Sequence, residues 1–86
     1  ERDLYRTRVL ATGANYVSRP AVERPTRLTG KLRYKMTAQP CTVAGTGDRL
    51  DAQFDDPQRA VTPGQAAVFY DGDVVVCGGT IERQAV

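Results

Sequence analysis

No window of this 86-residue chain repeats apolar residues at the i, i+3, i+4, i+7 spacing of an amphipathic helix. What recurs instead is short alternating segments cut by turn residues, and that pattern restricts the chain to β-structure. Residues 4–12 (LYRTRVLAT) alternate imperfectly and carry β-branched side chains, which predicts a first strand. Residues 18–27 hold Pro20 and Pro25, each of which pushes its predecessor toward extended backbone, so a loop or irregular link is expected. Residues 29–36 alternate more clearly, predicting a strand with Leu32, Tyr34 and Met36 on one face and Lys31, Arg33 and Lys35 on the other.

Two hairpins follow. Residues 39–44 set Cys41 and Val43 together, Gly45-Thr46-Gly47-Asp48 supplies a turn, and residues 49–54 return with Leu50, Ala52 and Phe54 inward. Asp55-Asp56-Pro57 is expected to end that strand, since proline cannot donate to a ladder. Thr62-Pro63-Gly64-Gln65 has the form of a type II turn. Residues 66–70 and 73–77 then flank Asp71-Gly72, a two-residue hairpin signal. The unbroken apolar run at 73–77 suggests burial on both faces, and Gly78-Gly79 suggests a bulge or bend that curls the sheet before Thr80-Ile81-Glu82 resumes the strand. Strands this short, at spacings of about 8–12 residues, predict an all-β fold. A small closed or nearly closed antiparallel barrel of about six strands suits so few residues better than two full sheets, and closure removes exposed edges. Residues 1–86 read as one such domain, the alternative being that residues 1–27 include part of a linker from a preceding domain.

The composition excludes several chemistries. The chain contains no His, one Ser (Ser18) and two Cys, so neither a Ser-His-Asp triad, a Cys-His pair nor a His-containing zinc site is possible. Asp55-Asp56 and Asp71 with Asp73 flank turns, where Asp is favoured by local hydrogen bonding, and read as turn residues rather than metal ligands or an acid/base pair. Cys41 and Cys77 fall in apolar strands and read as core thiols, with a disulfide or a sulfur-carrying role as the alternatives. The chain alone is not expected to catalyse a reaction, and it begins at Glu1 rather than Met, which fits a segment of a longer protein. No apolar run approaches the ~20 residues of a spanning helix, so no membrane partner is expected.

Charge is unevenly spread. Residues 1–35 carry nine Lys/Arg against three Asp/Glu, and residues 36–86 carry three against seven, within a net charge of +2. On the strand expected at 29–36, Lys31, Arg33 and Lys35 recur at intervals of about 6.6–6.8 Å, and Arg6 and Arg8 show the same spacing on the first strand. These five are the candidate binding residues for a phosphate backbone, because cations so spaced can follow one; they become candidate RNA-binding residues through the resemblance given below. The alternative is that they form a solvated exterior or face another domain. Tyr5, Tyr16 and Tyr34 are candidate stacking residues, Tyr34 being placed toward the core by the alternation.

The segments RYKMTAQPCTV (33–43), QFDDPQRAVTPGQAAVFYDGDVV (53–75) and GGTIE (78–82) resemble, in order and spacing, the C-terminal domain of tRNA-specific 2-thiouridylases. Asn15-Tyr16 matches more loosely, and residues 19–30 carry little of the resemblance. The resemblance implies a β-barrel at the carboxyl end of an enzyme that replaces the C2 oxygen of the tRNA wobble uridine with sulfur. It implies that ATP binds an upstream P-P-loop domain, that a persulfide on an upstream Cys delivers sulfur from a donor protein, and that the protein is cytoplasmic. The expected partners are therefore tRNA, the catalytic and central domains of the same polypeptide, and a sulfur donor. No cofactor is expected in this chain, which lacks the S-G-G-x-D-S phosphate loop. Cys41 matches a position where that family often has Cys; Cys77 does not match the usual position. The resemblance leaves two roles open for the barrel: docking tRNA, or packing on and stabilising the catalytic domain.

Overall fold

The computed structural model describes residues 5–83, with backbone alone at Thr46. Six strands form it: β1 (Tyr5–Tyr16), β2 (Thr26–Lys31), β3 (Gln39–Thr46), β4 (Arg49–Arg59), β5 (Ala66–Asp71) and β6 (Val74–Ile81). They close into an antiparallel barrel in the order β1-β4-β3-β2-β5-β6, with β6 returning to β1. The all-β barrel expected from the alternation is the fold observed.

Inward-facing residues alternate as the side-chain period of two requires. Val9 and Ala11 of β1, Cys41 and Val43 of β3, Leu50, Ala52 and Phe54 of β4, and Ala67 and Phe69 of β5 are all buried. Phe54 and Phe69 meet at the centre with ring centroids 6.5 Å apart and planes tilted by 41°, a geometry worth about 0.5–1.5 kcal/mol beyond the burial itself. Gly30 of β2 faces this pair: a Cβ there would lie 2.8 Å from Phe69 Cε1 and 3.0 Å from Phe54 Cζ. The ends are stoppered by residues outside the strands. Val22, from the 17–25 link, is buried at one end, where its carbonyl accepts a hydrogen bond from Gly45 N. Leu32, just past β2, is buried at the other.

The strand expected at 29–36 stops at Lys31. Its β3 neighbour stops there too, since Gly30 pairs with Gln39, the first residue of β3; on the other side the pairing ends with Lys31 opposite Val68, although β5 itself begins at Ala66. With β3 no longer beside it the chain folds back as a turn over 32–36, in which Leu32 N donates to Met36 Sδ (3.1 Å) and Met36 N to Arg33 O (3.4 Å). Leu32 and Met36 do pack on the core, but Tyr34, expected with them, is 91% exposed at the tip. The alternation was correct for the two residues that close the barrel end and wrong for the one between.

Asp55-Asp56-Pro57 does not end β4, which continues to Arg59. Between the Arg8–Gln53 and Arg6–Gln58 pairings β1 offers only Thr7, so residues 54–57 bulge away from it. Pro57 sits where no ladder bond to β1 is called for, as a strand proline must. The last hairpin turn is Gly72-Asp73 rather than Asp71-Gly72, because Asp71 pairs with Val74 and Gly72 takes φ +62° at the first turn position. Gly47-Asp48 closes β3–β4 the same way, with Gly47 at φ +60°; Gly45 and Thr46 belong to β3. The type II turn is as expected: Gln65 N donates to Thr62 O (3.2 Å) and Gly64 has φ +92°.

β6 is not buried on both faces throughout. Val74 is 54% exposed, whereas Val76 and Cys77 are both buried. A register shift opposite Phe69 and Tyr70 places one extra residue in β6, which lets two successive side chains turn inward. Gly78 and Gly79 follow that bulge and serve close approach: a Cβ on Gly79 would lie 2.7 Å from Thr12 O, and one on Gly78 2.9 Å from Ala67 O. β1 is longer than expected, reaching Tyr16 past an irregularity between Thr12 and Asn15 where Gly13 has φ +65°; Leu4 lies outside the described residues.

Cys41 and Cys77 are free and fully buried. Burial pushes the Cys41 thiol up to about 12, and it raises that of Cys77 as well. Neither is a thiolate at neutral pH, so neither is equipped as a nucleophile.

Two outcomes follow from this packing. Gly79→Ala forces a methyl against backbone at the β1–β6 seam and is expected to cost about 1–3 kcal/mol, whereas Gly13→Ala, with open space but positive φ, should cost nearer 1–2 kcal/mol. Denaturant midpoints of the two variants measure the difference. Because the folded-state pKa of Cys41 is raised, its contribution to stability is complete below the ordinary thiol value of 9.0 and is lost as pH rises from there toward about 12. The alkaline decline in midpoint should be shallower in Cys41→Val, and at neutral pH neither thiol should react with iodoacetamide until the chain is unfolded.

Candidate nucleic-acid interface

Three arginines of the basic half, Arg8, Arg19 and Arg27, are neutralised by acids of the other half. Arg8 of β1 donates from Nε and Nη2 to the two carboxylate oxygens of Asp51 on β4 (3.0 and 2.7 Å). Arg27 of β2 forks onto Asp55 of β4 (2.7 Å twice) and reaches Thr42 Oγ1 of the intervening β3 (3.1 Å). Arg49 holds Glu82 in the same two-pronged way, and Arg19 in the 17–25 link meets Asp71 at 2.6 Å. Donating to Asp51, Asp55 and Glu82 raises the pKa values of Arg8, Arg27 and Arg49, and accepting from Arg27 depresses that of Asp55. Arg8–Asp51 joins the adjacent β1 and β4, Arg27–Asp55 and Arg49–Glu82 each reach over an intervening strand, and Arg19–Asp71 ties the link to the end of β5.

Five of the remaining cations collect at one end. The antiparallel pairings put the start of β1, the end of β4, the start of β3, the end of β2 and the start of β5 at the same end of the barrel. Lys31 closes β2 there, Arg33 and Lys35 stand on the turn that follows, Arg59 closes β4, and Arg6 is partnered with Gln58 beside it. Arg33 Nη1 donates to Arg59 O at 2.8 Å, tying the turn to the end of β4. None of these five cations has an ion-pair partner among the described residues. Asp56 of the β4 bulge is the acid nearest them along that strand. Arg24, in the link at the opposite end, and Arg83, beyond β6, also lack an ion-pair partner among the described residues. The opposite end carries Asp48 and Asp73 on its two hairpin turns and Glu23 in its link.

Four of the five candidate cations, Lys31, Arg33, Lys35 and Arg6, are therefore brought to one end, though not as the straight row that a strand over 29–36 would have made. Arg8 is separated from them and engaged by Asp51. Arg59 was missed because the strand carrying it was expected to stop at Pro57; its pairing with Tyr5 could not be read from local pattern. Of the candidate aromatics, Tyr5 (50% exposed) and Tyr34 lie at the basic end, while Tyr16 is half-buried at the other end with its hydroxyl over Gly45. Beside the 32–36 turn lies a cleft of about 330 Å³, lined by Lys31, Arg33, Tyr34, Gln65, Val68 and Tyr70. Lys31 Nζ sits 5.9 Å from the centre of the Tyr70 ring there, within cation–π range. Among the described residues no group of three or more His, Cys, Asp or Glu could hold a metal ion, and no helix is long and apolar enough to cross a membrane.

A family model described as the aminomethyltransferase beta-barrel domain matches residues 6–81. The chain is 48% identical over 79 residues to a tRNA-specific 2-thiouridylase MnmA of Pseudomonas fluorescens, covering 92% of this chain and 21% of that protein. It is 60% identical over 58 residues to the enzyme of the same name from Pseudomonas syringae pv. syringae, covering 67% and 15%. The Pseudomonas aeruginosa protein of that name is 48% identical over 79 residues, again covering 92% of this chain and 21% of its own. The chain thus spans about a fifth or less of the length of these curated relatives. It belongs to the aminomethyltransferase β-barrel domain family, in the form carried at the C-terminal end of tRNA-specific 2-thiouridylases.

Proposed function

We propose that this barrel is a non-catalytic tRNA-docking domain of a 2-thiouridylase. The parent polypeptide would thiolate the wobble uridine in the cytoplasm, with ATP bound by an upstream domain and sulfur delivered from a donor protein as a persulfide. The observation that carries the reading is the end-on cluster of Lys31, Arg33, Lys35, Arg59 and Arg6, without an ion-pair partner among the described residues while Arg8, Arg27 and Arg49 of the barrel wall are paired. Uncompensated cations on a small scaffold bind phosphate oxygens and release condensed counterions, which gives an affinity independent of base sequence and steeply dependent on salt. The relatives' shared name supplies the nucleic acid: their substrate is tRNA. Arg33, held at the backbone of Arg59, offers a pre-positioned fork for a phosphate.

A second reading, a structural module packed on the catalytic domain, draws on Val17 and Val74. They are 61% and 54% exposed, and both lie at the end opposite the cations. The two readings use different ends of the barrel and separate cleanly by experiment. Electrophoretic titration of tRNA with the 86-residue chain at several salt concentrations should show binding that weakens with salt. The Lys31→Ala/Arg33→Ala/Lys35→Ala variant should weaken it further and reduce the slope of log affinity against log salt by about two to three. Arg8→Ala/Asp51→Ala should change neither. Unaltered binding by the triple variant would defeat the docking reading in favour of the structural one.

A further inference from the structure

The cleft beside the 32–36 turn has a composition that a phosphate-binding surface does not need. One wall is Tyr34, whose ring is left almost wholly to solvent at 91% exposure. It is nevertheless not on a loose loop. The residues on either side of the turn are fixed: Leu32 is buried in the core and Met36 packs against it. Met36 Sδ accepts from Leu32 N, and Arg33 is bonded to the backbone of Arg59 on another strand. A large aromatic face is thus held out to water by a turn anchored on both sides, contrary to the burial such a ring ordinarily seeks. Val68 and Tyr70 of β5, Gln65 just before that strand, and Lys31 and Arg33 also line the cleft.

We propose that this cleft takes one unstacked base of a single-stranded RNA segment, laid on the ring of Tyr34, with its phosphate against Lys31 and Arg33. The inference rests on the RNA-docking reading above and deepens it, since it assigns a nucleotide-sized subsite within the basic end. Three features converge on that occupant. The volume of about 330 Å³ lies at the lower end of small-ligand sites, suited to a mononucleotide unit rather than a duplex. An aromatic face beside paired cations is the combination by which single strands are held, the base by stacking and the phosphate by charge. The amide of Gln65 makes no side-chain hydrogen bond within the described residues and can both donate to and accept from a base edge. A base in a paired stem is stacked on its neighbours and cannot enter, so the subsite selects loops or ends over helices.

The chain has no Trp and four Tyr, so tyrosine emission reports directly on stacking. Titrating the 86-residue chain with hexauridylate should quench tyrosine fluorescence. Tyr34→Ala should lose roughly 5- to 150-fold in affinity for it, whereas Tyr34→Phe should retain affinity because stacking needs only the ring. A blunt RNA duplex should bind with no dependence on Tyr34. If Tyr34→Ala binds hexauridylate as tightly as the parent chain, or if the duplex shows the same dependence on Tyr34, the subsite is overturned. A loss of whole-tRNA binding in the cation variant would then leave the docking reading standing by itself. If neither tRNA nor hexauridylate binds the parent chain, both readings fall together.

Discussion

The interior of this barrel is too narrow for a side chain at every inward position, and much else follows from that limit. Phe54 and Phe69 fill its centre only because Gly30 presents no Cβ to them. Gly78 and Gly79 let β6 pass close to the backbones of β5 and β1, which is how six short strands close without an open edge. A sheet that closed less tightly would need a larger core than 86 residues can supply. The two ends are then sealed by single residues borrowed from connections, Val22 and Leu32. Once β2 ends at Lys31, the burial of Leu32 in the core leaves Arg33, Tyr34 and Lys35 on the turn outside it. The candidate RNA surface is in this sense a by-product of stoppering the barrel.

Charge shows how a linear asymmetry becomes a spatial one. The basic first half and acidic second half do not form two faces. They interleave, because β1 lies beside β4 and β2 lies between β3 and β5. Arg8, Arg19 and Arg27 from the first half consume Asp51, Asp71 and Asp55 from the second. The remainder is a partial end-to-end polarity, with Lys31, Arg33, Lys35, Arg59 and Arg6 outnumbering Asp56 at one end, and Asp48, Asp73 and Glu23 outnumbering Arg24 at the other. Near-neutrality of the whole therefore says little about the field an approaching polyanion would meet.

Local pattern disclosed what local forces decide. The inward sets at Cys41/Val43 and Leu50/Ala52/Phe54, and the Pro63-Gly64 turn, were legible because alternation and positive φ are properties of a few adjacent residues. Strand ends were less so, since a strand stops where its partners stop. Lys31 ends β2 because β3 begins only opposite Gly30, while β4 runs through Pro57 because β1 asks nothing of it there. Those long-range pairings also govern the candidate site: they bring Arg59 to the cluster and take Arg8 from it. The Gly72 turn slipped by one residue for the same reason, its register being fixed by Asp71 facing Val74.

The two sulfurs sealed in the wall have a bearing on chemistry conducted elsewhere. In a polypeptide that passes an activated sulfur atom between thiols, as we propose for the parent of this domain, any accessible thiolate is a rival acceptor. Cys41 and Cys77 are enclosed at 0% exposure and held in their neutral form by that enclosure. They fill space without offering a competing destination, so the barrel can stand beside the reaction as a chemically silent bystander.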